Sequence, residues 1–273
     1  MSLDEIAQYN KARWEALAQA RVPYSRPMLD LNADTARALV DPYGWIGTLE
    51  GKDVLCLAGG GGQQSAAFAL LGSNVTVLDL SETQLERDRQ AAAHYGLTIR
   101  TEHGDMRDLT RFADRSFDVV WHAHSIGFIP DVRTVFAEVA RVLRPGGLYH
   151  MSCNNPYSAG LDERDWNGEA YPLKHRYVDG EIHLEDDHWE IGYEDGTSAR
   201  VRGPREFRHT MSTLLNGMAG LGFVLLSYWE DTGDDPDAEP GTWEHLKSIA
   251  PPFIGFWAGY RPDVFRQIVQ ANQ

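Results

Sequence analysis

The sequence predicts an α/β fold built on a parallel sheet, and three observations carry that prediction. Apolar residues Val54 to Leu57 run into four consecutive glycines, Gly59 to Gly62, ahead of the small-residue stretch Ser65 to Leu71. A second apolar run, Val75 to Leu78, ends in Asp79. From Val54 to Cys153 five strand-like segments alternate with helix-like ones, the pattern of crossover connections between parallel strands.

Val54 to Leu57 suits a strand buried on both faces, because it is apolar without alternation. Without Cβ atoms, the glycine bend after it lets a ligand approach bare main chain at a helix N-terminus. Four glycines alone equally suit a flexible loop. Asp79 favours the binding corner, since a carboxylate there can accept from both hydroxyls of a ribose. Ser81-Glu82-Thr83-Gln84 caps a helix that runs to Tyr95 and stops at Gly96. Leu97 to His103 reads as the third strand, followed by the polar turn Gly104-Asp105-Met106-Arg107-Asp108-Leu109. Phe117 to His122 is the fourth. Val132, Val135, Phe136, Val139 and Val142 mark a helix ended by Arg144-Pro145-Gly146-Gly147, and Leu148 to Cys153 is the fifth strand.

Before this core, Ser2-Leu3-Asp4-Glu5 reads as a capping box for a helix with Ile6, Tyr9, Trp14 and Leu17 along one face. That helix is either a packing element or a lid carrying Tyr9 or Trp14. Arg21 to Pro27 is irregular, and a second helix covers Ala33 to Val40. After Cys153 the alternation stops. Asp179-Gly180 and Asp195-Gly196 suggest two hairpin turns in a β-rich insertion. Its aromatics Trp166, Tyr171, Tyr177, Trp189 and Tyr193 form either a pocket roof or, more simply for most of them, the insertion's own small core. A helix with Met211, Leu214, Leu215 and Met218 on one face follows, ending at Gly222. Phe223 to Trp229 and Phe253 to Tyr260 are strands six and seven, flanking a solvated acidic loop at Glu230 to Glu239.

With 273 residues, 42% of them apolar and 24% charged, the chain has the composition of a soluble globular protein. No run approaches the ~20 apolar residues of a membrane span, and the start lacks a basic region followed by an apolar one. A cytoplasmic protein is expected. Cys56 and Cys153 sit in apolar strand contexts and read as buried thiols. The net charge of -15 would repel a phosphate backbone, which disfavours nucleic acid as a partner. No feature specifies an oligomeric state.

Val54 to Gly62, Asp79, Gly104-Asp105-Met106, Phe117-Asp118-Val119-Val120 and Leu143-Arg144-Pro145-Gly146-Gly147 together resemble the class I S-adenosylmethionine-dependent methyltransferases, over about a hundred residues. The resemblance implies a Rossmann-like, seven-stranded, mostly parallel sheet with an antiparallel last strand beside strands five and six, and helices on both faces. One domain, 1–273, would comprise a helical lid (1–44), a cofactor-binding core (45–153), a β-rich substrate cap (154–204) and a segment completing the sheet (205–273). The implied cofactor is S-adenosylmethionine. The glycine backbone would face its methionine end, Asp79 its ribose, and Asp105 with the Met106 main chain its adenine. The implied cofactor set is Ala58, Gly59, Gly60, Gly61, Gln64, Asp79, Leu80, Asp105, Met106 and His122. At Cys56 the chain departs from the family, which has an acid there. Gln63 and Gln64 are equally readable as a substitute polar contact or as solvated residues of a helix start.

The expected reaction is methyl transfer to a small-molecule nitrogen or oxygen acceptor. His122-Ala123-His124-Ser125 leaves strand four where the family places residues near the transferred methyl, so His122 or His124 is a candidate base, with His209 and Asn154 behind them. The alternating histidines also suggest a metal site, but no third ligand with recognisable spacing follows, and no metal is expected. Trp14 and Tyr24 are further candidates. A nicotinamide-dependent oxidoreductase is the rival enzyme class, opposed by Gln64 at the place of the last glycine in Gly-x-Gly-x-x-Gly. A cofactor-binding module without activity is the rival from outside enzymology, motivated by Cys56.

Overall fold

The computed structural model describes residues 3–183, 188–192, 197–264 and 267. Helix α1 (Glu5–Gln19) and α2 (Ala33–Val40) precede the sheet, and α2 has the bounds its sequence predicts. Asp4 caps α1 by accepting from the Ala7 amide at 2.8 Å, whereas Ser2 of the expected capping box lies outside the described residues. The buried face of α1 is Ala7, Asn10, Leu17 and Ala18. Asn10 is tolerated there because each of its amide atoms is hydrogen bonded: Nδ2 donates to the carbonyls of Phe128 and Arg205, and Oδ1 accepts from the Arg205 amide.

Seven strands form one sheet. In chain order they begin with β1 (Asp53–Leu57), β2 (Asn74–Asp79), β3 (Ile99–His103), β4 (Phe117–His122) and β5 (Leu143–Asn154). Between them lie α3 (Gln64–Leu70), α4 (Glu82–Tyr95) and α5 (Val132–Val142). Ser81 caps α4, and Gly96 ends it in the left-handed conformation. Strand β5 starts five residues before its expected Leu148. Leu143 already pairs with Phe117, and Arg144 to Gly147 form an irregularity before pairing resumes at Val119 and Leu148.

The segment after β5 runs irregularly to Val178, apart from one 3₁₀ turn at Glu163–Asp165. Four short strands follow: β6 (Gly180–Glu181), β7 (His188–Gly192), β8 (Ser198–Arg202) and β9 (Phe207–Arg208). Strands β7 and β8 pair antiparallel; the expected turn at Asp195-Gly196 lies outside the described residues. Asp179-Gly180 is not a hairpin turn. Gly180 instead opens β6, which pairs with distant β9, and the Asp179 carboxylate accepts from Thr210 and Thr213.

Helix α6 (Met211–Ala219) ends at Gly220, earlier than expected, and Gly222 makes the turn at φ +94° into β10 (Phe223–Glu230). A helix with no counterpart in the sequence reading, α7 (Trp243–Ile249), precedes β11 (Phe253–Tyr260). The sheet order is β10-β11-β5-β4-β1-β2-β3, with β11 antiparallel to both neighbours. Helices α5 and α6 bury Val135, Phe136, Leu214 and Met218 on one face. On the other, α2, α3 and α4 bury Ala36, Phe68 and Leu85. Among the described residues no helix is long and apolar enough to cross a membrane.

Candidate active site

A cavity of about 890 Å³ opens over the carboxyl ends of β1, β2 and β4, with α1 along one side. This is where open α/β sheets hold ligands, because successive connections leave to opposite faces. Ala58, Gly59, Gly60, Gln64, Asp79, Leu80, Asp105 and Met106 line it. Gly61 and His122 do not.

The glycine turn is shaped by two carboxylates. Asp79 ends β2 and is nearly buried; its Oδ2 accepts from the Gly60 amide at 2.9 Å and its Oδ1 from the Ser81 amide at 2.8 Å. Each oxygen keeps a further acceptor position. A Cβ on Gly60 would lie 2.7 Å from Gln84 Cβ and 3.0 Å from Asp79 Oδ2, so only glycine lets the strand ends approach this closely. At Gly62, φ is +73° and a Cβ would lie 2.5 Å from the Arg87 carbonyl oxygen.

Beneath the turn lies Asp88 of α4, fully buried. Its Oδ2 accepts from the Gly61 amide and its Oδ1 from the Gly62 amide, both at 3.1 Å, and Oδ1 also accepts from the Ser65 hydroxyl. Gly61 is therefore turned toward the protein, which corrects its expected place against a ligand. Burial pushes the Asp88 carboxyl up to about 7, and the charge of Asp79 adds to the rise. Burial, and then the charge of Asp88, push the Cys56 thiol well above its ordinary value. A carboxylate thus does lie under the glycine turn, supplied by α4 instead of β1. Gln63 and Gln64 both line the cavity; Gln63 Nε2 donates to the carbonyls of Pro23 and Arg26, and Gln64 opens α3. Asp88 shares the buried face of α4 with Leu85 and Ala92, so a charge at a core-facing helical position was the available signal.

Asp105 lines the cavity, but both its oxygens face the guanidinium of Arg107, with Nη2 to Oδ2 at 2.6 Å. Arg107 also reaches Asp4 Oδ2 at 2.6 Å and holds the Asp4 carboxyl below its usual range. The turn after β3 is thereby tied to the start of α1. Glu15, further along α1, accepts from the hydroxyls of Ser81 and Thr83 at the start of α4.

The two histidines of strand four separate. His122 is fully buried beneath the sheet, its Nδ1 3.0 Å from the Tyr149 hydroxyl, and burial pushes it down to about 3. It reaches neither ligand position, because its ring lies in the core facing Tyr149. His124 lies past the strand end at φ +51° and lines the cavity. Its amide donates to the Ser152 carbonyl and hydroxyl, which fixes this uncommon backbone, and its ring meets Phe253 edge-on at 4.9 Å. Burial lowers the His124 pKa, which favours the neutral form a base requires. His209 is buried against the backbone of Ile126 and Ile129, off the cavity, which corrects its place among the candidate bases. Asn154 does line the cavity and donates from Nδ2 to Glu206 Oε2 at 3.1 Å.

Trp14 and Tyr24 both stand in the cavity wall, with Phe128 and Trp189. The other described aromatics of the 154–204 segment stay together. Trp166 and Tyr171 pack on His245, and Tyr177 stacks on Tyr157 at 4.6 Å. Tyr193 lies outside the described residues. Glu206 was missed, because nothing distinguishes it within the charged run Arg205-Glu206-Phe207-Arg208-His209.

The donor set fits S-adenosylmethionine. Asp79 keeps acceptor positions for ribose hydroxyls, the Gly59-Gly60 backbone is bare, and Leu80 and Met106 offer apolar surface for a base. A methyltransferase domain family matches residues 55–151. The uncharacterized methyltransferase YbaJ of Bacillus subtilis (strain 168) is 36% identical over 200 residues, which cover 70% of this chain and 73% of that protein. A solved S-adenosylmethionine-dependent methyltransferase from Mesorhizobium loti superposes with a TM-score of 0.56 at 22% identity, covering 85% of this chain and all of that one. The 1,6-didemethyltoxoflavin-N1-methyltransferase of Burkholderia thailandensis, solved with bound 1,6-didemethyltoxoflavin and S-adenosylhomocysteine, gives a TM-score of 0.57 at 15% identity over 96% of this chain and 92% of that one. The chain belongs to the class I S-adenosylmethionine-dependent methyltransferases. S-adenosylmethionine is its cofactor.

Proposed function

We propose that this methyltransferase acts on a small-molecule acceptor through nitrogen or oxygen, within the single cavity that also takes the cofactor. One observation carries the reading: residues of the cofactor corner and of a separate aromatic wall line the same space of about 890 Å³, a size suited to small ligands. Residues 1–44 act as lid and 154–204 as cap over the core at 45–153, which 205–273 complete. The acidic net charge and the buried thiols Cys56 and Cys153 support work in the cytoplasm, away from nucleic acid.

When bound, the cofactor supplies a methyl group on a sulfonium, already activated for transfer. The protein's part is to hold the acceptor in line and exclude water, effects that supply ~7–11 kcal/mol in well-oriented cases. Ala58, Gly59, Gly60, Gln64, Asp79, Leu80, Asp105 and Met106 hold the cofactor. His124 takes a proton from an acceptor that enters protonated, and Asn154 positions the wall opposite.

Calorimetry tests the cofactor. S-adenosylmethionine and S-adenosylhomocysteine are expected to bind with micromolar affinity and NAD and NADP not to bind; the reverse order refutes the reading. A panel of amines, phenols and thiols then tests turnover, and methylated product is expected from an amine or a phenol. The histidines give a sharper contrast. His124→Ala is expected to lower turnover about a hundredfold or more with cofactor affinity little changed. His122→Ala is expected to lower thermal stability instead, through the lost Tyr149 contact. Equal turnover for His124→Ala and the parent protein removes the proposed base.

A further inference from the structure

Three carboxylates in the cavity lie outside the cofactor corner: Asp162, Glu163 and Glu206, of which Glu206 alone is held by Asn154 and stands beside the aromatic wall. Glu206 precedes β9 and faces the cavity. Its partners are neutral: the Asn154 amide donates at 3.1 Å, and the Trp189 indole N–H donates to the same carboxylate. The adjacent Arg205 is taken by Glu181 at 2.6 Å, and none of the ion pairs among the described residues includes Glu206. Of the arginines that line the cavity, Arg107 is held by Asp105 and Asp4, and Arg164 by Asp162.

Four aromatic rings, packed on one another, form a wall of this part of the cavity. The Trp14 ring lies 5.0 Å from Phe128, 5.8 Å from Trp189 and 6.0 Å from Tyr24, all three at steep angles. Tyr24 and Trp189 close the set at 6.0 Å. Edge-to-face packing of this kind makes the four rings one continuous apolar surface. Part of this wall is also held in advance of any ligand. Asn10 ties the Phe128 carbonyl and both backbone groups of Arg205 to the helix that carries Trp14.

A carboxylate withdrawn from bulk water without a counter-charge is costly, and a cation that arrives beside it relieves the cost. Aromatic faces attract the same sign of charge. Burial already pushes the Glu206 carboxyl up, as expected for such a charge without a partner. An anionic ligand would meet Glu206 with repulsion, and a neutral one would leave it without a counter-charge. We infer that the acceptor is an organic amine that enters as its ammonium ion, with the charged head against Glu206 and its carbon skeleton against the wall of Trp14, Tyr24, Phe128 and Trp189. This assignment rests on the methyltransferase reading of the cavity, which makes the space beyond the cofactor an acceptor site.

Phenethylammonium, 2-phenylethanol and phenylacetate share a skeleton and differ in charge. Their binding is measured by calorimetry on the full chain saturated with S-adenosylhomocysteine, for the parent protein and Glu206→Gln. The ammonium is expected to bind about tenfold or more tighter than the alcohol, with phenylacetate weakest. Glu206→Gln is expected to abolish the preference while its S-adenosylhomocysteine affinity stays unchanged. Equal binding of ammonium and alcohol to the parent protein, binding of neither, or a preference that survives in Glu206→Gln overturns the inference. If Glu206→Gln does not fold, the comparison on the parent protein decides alone. Failure of S-adenosylhomocysteine itself to bind strikes the cofactor assignment instead.

Discussion

Asp88→Ala is expected to cost the protein on the order of 3 kcal/mol or more in unfolding free energy, and to weaken cofactor binding with it. The substitution leaves the Gly62 amide and the Ser65 hydroxyl without an acceptor in a buried place, and leaves the Gly61 amide only the Gln84 carbonyl at 3.2 Å. Each orphaned donor costs about 1–3 kcal/mol. Urea unfolding monitored by circular dichroism gives the difference directly, and a loss below about 1 kcal/mol would show that the turn holds itself. The pH dependence is a second signature. The Asp88 carboxyl is raised in the folded chain to about 7 from an ordinary 3.8, so the native state favours its protonated form. Stability from that source is complete below about pH 4 and is lost as the pH rises through about 7. Relative to Asp88→Asn, the parent protein should therefore gain stability as the pH falls across that window. Parallel profiles for the two proteins would mean that Asp88 does not titrate there.

Asp79→Ala is expected to lower affinity for S-adenosylhomocysteine tenfold to a hundredfold. A hydrogen bond to a charged acceptor is worth about 1.5–3 kcal/mol, and each tenfold in affinity corresponds to about 1.4. The same carboxylate holds the Gly60 amide at 2.9 Å, so part of the loss comes through the shape of the turn. Asp79→Asn separates the parts, since its amide oxygen still accepts while the other acceptor position becomes a donor. Calorimetry on Asp79→Ala with an unchanged dissociation constant and an intact fold would take Asp79 out of the site.

Local chemistry made most of the sheet legible. Four of the five early strands are largely apolar, with β3 the polar edge strand, and caps and glycines separate them; Ser81 and Gly96 delimit α4 as their backbone roles require. The antiparallel placement of β11 came from the family resemblance; nothing within Phe253 to Tyr260 states which strands it joins. The site was legible where one segment carries it, as at Ala58 to Gly60 and Asp79. It was obscure where partners lie far apart in sequence. Asp88 reads as one more polar residue until α4 folds it under Gly61 and Gly62. His122 and His124 look equivalent because strand alternation puts i and i+2 on one side. The left-handed backbone at His124, beyond the last paired residue of β4, breaks that equivalence and turns one ring to the cavity. Glu206 acquires meaning only from Asn154 and Trp189, each on a different element.

The position of β11 bears on how the chain is made. Strands β1 to β5 emerge from the ribosome in order and can pair as they appear, so the corner at Asp79 and Gly60 is assembled while β5 still has an open edge. That edge is closed by Phe253–Tyr260, inserted between β5 and the earlier-made β10. Phe253 also brings its ring to His124. In a nascent chain the residues of the cofactor corner and the Trp14 and Tyr24 of the aromatic wall are thus all made before Glu206 and Phe253, so the site is completed from its far end last.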